Sequence, residues 1–496
     1  MKHSSAIADS IKRGFDMNHS MIRYVVGAVL CFESIFLCLP MLIGFVCGEK
    51  SAFAFMICAV LCLVFGGAMV LRKPKSNVFY ATEGFVSVSI SWIALSLFGA
   101  LPFWISREIP RFEDALFEAI SGFTTTGATI LDDVEALSRC CIFWRSFTHW
   151  IGGMGVLVFV LAVFPLRGGN IMFLMKAESP GPSVEKLVPR VKNTALILYG
   201  VYTAMTVLEI LLLWITGMHF FDAVNLGLAT AGTGGFGILN DSAASYASVH
   251  QVILTVFMIL FGVNFNIYYL ILVKRAKDIW HSEELKTYFG IILASGLLIA
   301  YNIRHIFPNP LEALKHSFFQ VGSIITTTGF STADFNEWPL FSCSILVLLM
   351  FCGACAGSTG GGMKVSRIII MVKTAVKEVF TIKHPHGIKT LKIDGRVVEH
   401  ETVRSVNTFV VIYALLFAGS ALLVSLDNFD FTTTFTAVAA TINNIGPGLS
   451  KVGPMGNFSI FSPFSKVVLM FDMLAGRLEL MPMIVLFSPL IWSKDR

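Results

Sequence analysis

Charge is scarce in this chain. Only 14% of its 496 residues are Asp, Glu, Lys or Arg, against about a quarter in ordinary soluble domains. A soluble core does not demand so little charge, whereas an integral membrane protein does. Hydrophobic residues make up 55% of the chain, and the mean hydropathy is +0.74. The net charge of +5 is modest. It suits headgroup-facing and inner-loop basicity and argues against a nucleic-acid surface. No signal-peptide cleavage pattern is visible, and the opening MKHSSAIADSIKRGFDMNHS is polar. A disulfide framework is also missing. Most cysteines lie inside apolar runs (Cys31, Cys38, Cys58, Cys62, Cys343), where a thiol behaves as a small hydrophobe. Cys352 and Cys355 spell CGAC within a membrane segment, but the other half of a metal site is lacking. His384 and His386 form a lone H-x-H without further ligands and read as surface residues. HExxH, GxSxG and paired catalytic constellations are absent, which excludes an enzyme reading.

Long apolar runs are what the chain has in abundance. Runs able to cross about 30 Å of hydrocarbon lie near 21–46, 52–71, 83–105, 146–166, 193–217, 250–273, 286–303, 340–372, 404–426 and 464–492. Ten crossings put both termini on one side. Clustered Lys and Arg fall in 72–75, 166–192, 274–286 and 364–404. The positive-inside rule places these loops and both ends in the cytoplasm. Arg107, Arg111, Arg139, Arg145 and Arg304 then lie on the outer side.

After the first two spans, the chain divides into four blocks. Each has a long run, a short amphiphilic run, a glycine turn and a second long run. The short runs are 112–124, 220–230, 311–326 and 428–441. At about 1.5 Å per residue they reach about half-way through a bilayer. Each starts near an acid suited to a helix N-terminus: Glu113, Asp222, Glu312 or Asp430. The turns read TTTGAT (124–129), GTGGFG (232–237), TTTGFST (326–332) and NNIGPGL (443–449). Non-helical backbone at membrane depth persists only where protein buries it or where it lines water. Four such turns on one axis would ring an ion with carbonyls, at the negative ends of four half-helices.

These turns, with HWIGGMGVLVFVLAVFP (149–165), AGSTGGGMK (356–364) and TINNIGPGL (441–449), resemble the TrkH/TrkG/KtrB superfamily of bacterial potassium transporters. The two extra N-terminal spans point to the TrkH branch. The resemblance implies an all-α integral membrane protein of four tandem membrane–pore-loop–membrane repeats in pseudo-fourfold arrangement. The expected divisions are a two-helix domain (1–76) and pore repeats at 77–168, 169–276, 277–380 and 381–496. The filter glycines implied are Gly127, Gly235, Gly329 and Gly446, with carbonyls from Thr125, Thr126, Thr233, Gly234, Thr327, Thr328, Asn444 and Ile445. Gly235 is preferred to Gly234 because Phe236 follows it as Phe330 follows Gly329. The fourth loop lacks threonines. No loop reads TVGYG, so fewer ion sites and looser selectivity are expected, with rubidium and some sodium passing.

The run 340–372 is interrupted by GACAGSTGGGMK (353–364), in which five of twelve residues are glycine. It is not a phosphate loop, because Met363 separates Gly362 from Lys364. The resemblance makes it a gating loop, with Gly357, Ser358, Thr359, Gly360, Gly361, Gly362 and Lys364 as gate residues and Lys364 offering a positive charge to passing cations. It also puts Arg477 beside the permeation path. Asp472, Arg477 and Glu479 are costly in a membrane span, unless they sit near the inner water boundary. Glu209 is a further acid inside an apolar run, and pairing with a basic residue is one reading of it, not the favoured one. Acids after the turns (Asp132, Asp133, Glu135, Asp241, Asp334, Glu337) either concentrate cations at a mouth or are ordinary loop charge. The function implied is potassium uptake across the bacterial cytoplasmic membrane. The alternative is a secondary transporter of another cation or small solute. The implied partners are the potassium ion, membrane lipid, a second copy of the chain and a TrkA-like cytosolic nucleotide-binding subunit. No nucleic acid and no covalent cofactor are expected; K+ is the transported ion.

Overall fold

The structure, a computed structural model, describes residues 17–74, 81–155, 191–273, 282–384 and 390–489. These residues hold seventeen α-helices and one two-stranded hairpin. Helices α1 (His19–Cys47) and α2 (Ala52–Leu71) come first. They pack side by side, and Ser34 Oγ donates to the Ala59 carbonyl at 2.7 Å. Four units follow. The first is α3 (Ala81–Ile105), α4 (Phe112–Phe123) and α5 (Arg139–Gly153). The second is α6 (Val191–Ile215), α7 (Phe220–Ala231), α8 (Ser248–Phe261) and α9 (Phe265–Leu272). The third is α10 (Glu283–Ile303), α11 (Pro310–Ile325), α12 (Leu340–Met350) and α13 (Val365–Lys383). The hairpin β1 (Lys392–Ile393) and β2 (Arg396–Val397) leads to the fourth: α14 (His400–Val424), α15 (Phe431–Ile442), α16 (Pro463–Arg477) and α17 (Met481–Phe487).

The short runs form the half-helices α4, α7, α11 and α15. Their starts follow from local chemistry. Asp430 caps α15 by accepting the Thr433 N–H at 2.9 Å. Asn309 caps α11 ahead of Pro310, whose missing N–H costs nothing at a helix start.

The long runs behave in two ways. Six helices among the described residues are long and apolar enough to cross a membrane: α1, α2 and the first helix of each unit, α3, α6, α10 and α14. The expected second crossings differ from continuous helices. Between α8 and α9 the axis turns by 88°. The run 340–372 stops at Met350 and resumes at Val365. The run 464–492 breaks after Arg477, where Glu479 and Leu480 take left-handed φ of 59° and 65°. Helix α5 ends at Gly153, and the remainder of its run lies outside the described residues. Apolar length alone does not reveal such breaks, because the residues that end these helices are satisfied by other units.

The packing order is cyclic. Half-helix α7 lies on α5 of the unit before it, α11 on α8, and α15 on α12; α4 closes the circle on α16. Thus each half-helix is wedged between its own unit and the preceding one. Aromatic packing seals the first unit, with Phe123 edge-on to Trp144 at 5.8 Å and the Trp144 indole donating to the Gly99 carbonyl. The faces left exposed on α2, α6 and α14 carry large apolar residues such as Val64, Leu211 and Leu415, as a multi-pass membrane protein requires.

The expected division at 380/381 falls inside α13, which runs to Lys383. The other expected divisions lie outside the described residues. So do the terminal residues, His386, and most of the basic loops 166–192 and 274–286.

Candidate functional site

All four half-helices end the same way. The first residue past each C-cap is left-handed: Thr125 (φ 55°), Thr233 (54°), Thr327 (58°) and Asn444 (54°). The next residue sends its N–H five residues back, from Thr126 to Ser121, Gly234 to Ala229, Thr328 to Ser323 and Ile445 to Ala440, at 2.8–2.9 Å. This is the Schellman arrangement, which satisfies the last helix carbonyls. Glycine or asparagine usually holds its left-handed position. Here three of the four are β-branched threonines, for which that conformation is costly. Strain of this kind concentrates at functional sites. The third residue is again left-handed and is always glycine: Gly127 (77°), Gly235 (74°), Gly329 (91°) and Gly446 (99°). The four loops therefore share one backbone register, including the fourth, where asparagine stands in for threonine.

The loops also touch in order. A Cβ on Gly127 would collide with the Gly234 carbonyl, one on Gly235 with that of Thr328, and one on Gly329 with that of Ile445. One on Gly446 would lie 2.8 Å from the Thr126 carbonyl oxygen. The ring closes on itself, and at each step the carbonyl belongs to the residue before the next glycine. Asn444 Nδ2 donates to Thr126 Oγ1 at 2.9 Å across the same closing seam. The four glycines open into a cup of about 120 Å³ also lined by Asp132, Arg145 and Phe458.

A second ring of hydrogen bonds joins the loops that follow the glycines. Asn240 links units one and two, accepting the Val134 N–H at 2.8 Å and donating to Asp133 at 2.9 Å. Its amide holds the Asp133 carboxyl below the usual carboxylate range. Ala243 N–H donates to the Ser331 carbonyl, Ser450 N–H to Asn336 Oδ1, and Asn457 Nδ2 to Asp132 Oδ1. The acids in these loops thus act partly as loop-to-loop acceptors while remaining at the surface.

Behind the ring lie residues to which sequence reasoning gave no role there; Arg145, read from the sequence only as an outer-side charge, is buried. Arg145 Nε meets Glu118 at 2.7 Å, and both side chains are almost completely buried. Glu118 also accepts from Thr129 Oγ1 and the Ile130 N–H in the first loop. Arg145 donates to the Gly237 carbonyl in the second loop and stacks on Phe236 at 4.0 Å. His149 accepts the Phe236 N–H at Nε2 (3.3 Å), so its Nδ1 carries the proton that it donates to the Gly122 carbonyl (2.8 Å). A buried acid in a half-helix and a base in the following run were the available signals.

On the half-helix side of the ring, the segment 351–364 runs against the loops. Gly361 N–H donates to Thr327 Oγ1 at 2.6 Å. A Cβ on Gly361 would lie 2.8 Å from the Asn443 carbonyl oxygen, and one on Gly360 2.9 Å from that of Thr326. Lys364 is buried and folds back to donate to the Gly360 carbonyl. Arg477 donates to the Thr359 carbonyl at 2.8 Å and to those of Gly152 and Gly153 at 2.5 and 2.7 Å. It thereby ties the segment to the ends of α5 and α16. Asp472 is fully buried against Ser420 Oγ at 2.7 Å, not at a water boundary, and Glu479 pairs with Arg367. A basic partner of Glu209 is not found among the described residues; the polar side chain beside it is Thr230. All ten cysteines are free thiols.

Comparison with known proteins gives one consistent match. The family profile TrkH, described as a cation transport protein, matches residues 51–299 and 308–494. The Trk system potassium uptake protein TrkH of Salmonella typhimurium is 35% identical over 487 residues, covering 96% of this chain and all of that one. The Trk system potassium uptake protein TrkG of Escherichia coli is 33% identical over 485 residues, with the same coverage. The crystal structure of the potassium transporter TrkH from Vibrio parahaemolyticus superimposes with a TM-score of 0.87 at 30% identity, covering 96% of this chain and all of that one.

Proposed function

The chain belongs to the TrkH family of cation transport proteins, and from that premise we propose that it carries potassium into the cell through the centre of its four-loop ring. The observation that carries this reading is the closed ring of four loops with one shared backbone register. A dehydrating potassium ion needs several oxygens at once. Carbonyls of Thr125, Thr126, Thr233, Gly234, Thr327, Thr328, Asn444 and Ile445 supply them, and Gly127, Gly235, Gly329 and Gly446 let the loops close. Each half-helix adds roughly −0.5 elementary charge at its C-terminal end, so the ring attracts cations and repels anions without a fixed acid on the axis. The buried Arg145–Glu118 pair and His149 hold the first two loops from behind.

The segment Gly357–Lys364 is the gate. It lies against Thr327 and is held by Arg477, whose positive charge competes with a cation on that side of the ring. Its glycines let backbone pass close to the filter loops. Conduction requires the segment to leave this position. Transport is the activity, and no catalytic step is involved. The protein sits in the bacterial cytoplasmic membrane with both termini inside, pairs with a second copy, and takes its nucleotide control from a cytosolic TrkA-like subunit.

The test is potassium uptake in a potassium-uptake-deficient bacterium expressing this chain, with rubidium and sodium as competitors. Growth rescue at low potassium, with rubidium competing better than sodium, is expected. Absence of rescue, or competition by sodium equal to that by rubidium, contradicts the reading.

A further inference from the structure

Two hydrogen bonds lie at the ends of the glycine-rich segment, and one carboxylate oxygen accepts both. Glu284 Oε1 receives the Ala356 N–H at 2.8 Å and the Ser366 N–H at 3.2 Å. These donors flank the gate residues on either side. Glu284 itself stands in the first turn of α10, on a helix that contributes nothing else polar to the segment among the hydrogen bonds described. We infer that Glu284 is the latch of the gate: it pins the entry and the exit of the segment to one atom and so holds the segment closed under the ring.

The physical argument rests on alternatives. A glycine-rich segment has many backbone conformations and little intrinsic preference among them. Its closed position needs contacts that fix both ends. At the entry, Cys355 N–H also donates to the Gly262 carbonyl at 3.0 Å; at the exit, Val365 N–H donates to the Ala354 carbonyl at 3.1 Å. Those are neutral backbone bonds. The Glu284 bonds are charge-assisted, a stronger class, and among the described residues they alone couple both ends to one third element.

That third element leads to the surface. The neighbouring Glu283 pairs with Lys373 on α13, and Lys373 Nζ also donates to the Lys392 carbonyl at 2.7 Å. The Glu283 N–H donates to Asp394 in the β1–β2 turn at 2.7 Å. A pull on the hairpin therefore acts on the same helical turn that carries the latch. Glu284 is a positioning residue: it acts on the ion path through the segment and never touches the ion.

This inference rests on the gate reading above, and its test separates the two. Full-length protein in liposomes is assayed for potassium and sodium flux as the parent, Glu284→Ala, Glu284→Gln and the 356–362 deletion. Hydrogen exchange of the 353–366 segment is measured alongside. For Glu284→Ala, faster exchange confined to this segment is expected, with flux raised about tenfold, as loss of two hydrogen bonds would shift a closed–open balance. The K+/Na+ ratio should not change, which a general loosening of the fold would not spare. Glu284→Gln keeps an acceptor oxygen but loses the charge, so exchange and flux between those of the parent and of Glu284→Ala are expected. Where Glu284→Ala does not fold, Glu284→Asp, one methylene too short to reach both donors, replaces it with the same expectation. If the deletion raises flux while neither short-side-chain variant does, the latch is wrong and the gate stands. If the deletion also leaves flux unchanged, both fall. Unchanged exchange in 353–366, or a Gln variant as leaky as Ala, overturns the latch outright.

Discussion

Arg145 and Glu118 meet at 2.7 Å behind the first glycine loop, one on α5 and the other on half-helix α4, with side-chain exposures of 2% and 0%. Each also reaches a loop: Glu118 holds Thr129 and Ile130, and Arg145 holds Gly237. The pair is therefore a frame for two quarters of the ring.

Removing one partner leaves the other charge buried and alone, which typically costs about 3–5 kcal/mol. Arg145→Met is expected to lower the thermal unfolding midpoint in detergent sharply. Replacing both residues, with Glu118→Leu added, should recover much of that loss but not the K+/Na+ selectivity, because the loops lose their anchors. A double variant no more stable than the single one would show that the pair is not the stabilising unit.

Gly329 is left-handed, and a side chain there would strike the Ile445 carbonyl and approach Pro447 Cδ at 3.0 Å. Gly329→Ser should weaken discrimination of potassium against sodium by about tenfold, the equivalent of about 1.4 kcal/mol in relative affinity. Gly127→Ser should act alike against the Gly234 carbonyl. Ion flux through purified protein in liposomes checks this, and unaltered selectivity in both variants rules out the filter assignment.

Arg477 makes three hydrogen bonds to backbone carbonyls, one of them in the 353–364 segment proposed as the gate. Arg477→Gln removes the charge and the span of the guanidinium. Potassium flux is expected to rise, as it should on deleting residues 356–362. A flux equal to that of the parent in both cases would sink the gate assignment.

Glu209 is buried without a basic partner among the described residues. Glu209→Gln preserves volume and breaks no ion pair, so a stability change within about 1 kcal/mol is expected. Glu118→Gln should cost distinctly more. Thermal melts of the two variants side by side decide it; a larger loss at Glu209 would reveal a partner that the described contacts lack.

The legible part of the site was local. Half-helices α4, α7, α11 and α15 begin and end within a few residues of the short runs, since apolar length, a starting acid and a glycine turn suffice to define them. The second loop illustrates the limit. GTGGFG offers two adjacent glycines, and only the backbone shows Gly235 sharing its conformation with Gly127, Gly329 and Gly446. The breaks in the second runs were partly hidden. The 353–364 interruption announces itself by five glycines, whereas the 88° bend after Phe261 is marked only by Gly262. Whether Glu209 has a basic partner was not legible, because pairing depends on which helix packs opposite; none is found among the described residues.

Four units of long run, short run, glycine turn and long run follow from the sequence by itself, because hydrophobic length and turn chemistry act over a few residues. Which unit touches which was decided only in the tertiary structure. Thr126 and Asn444 stand 318 residues apart, yet share the hydrogen bond that closes the ring. Nothing local at either residue selects the other. The circular packing of half-helices on the preceding unit brings them together, and with them the four carbonyl-bearing loops.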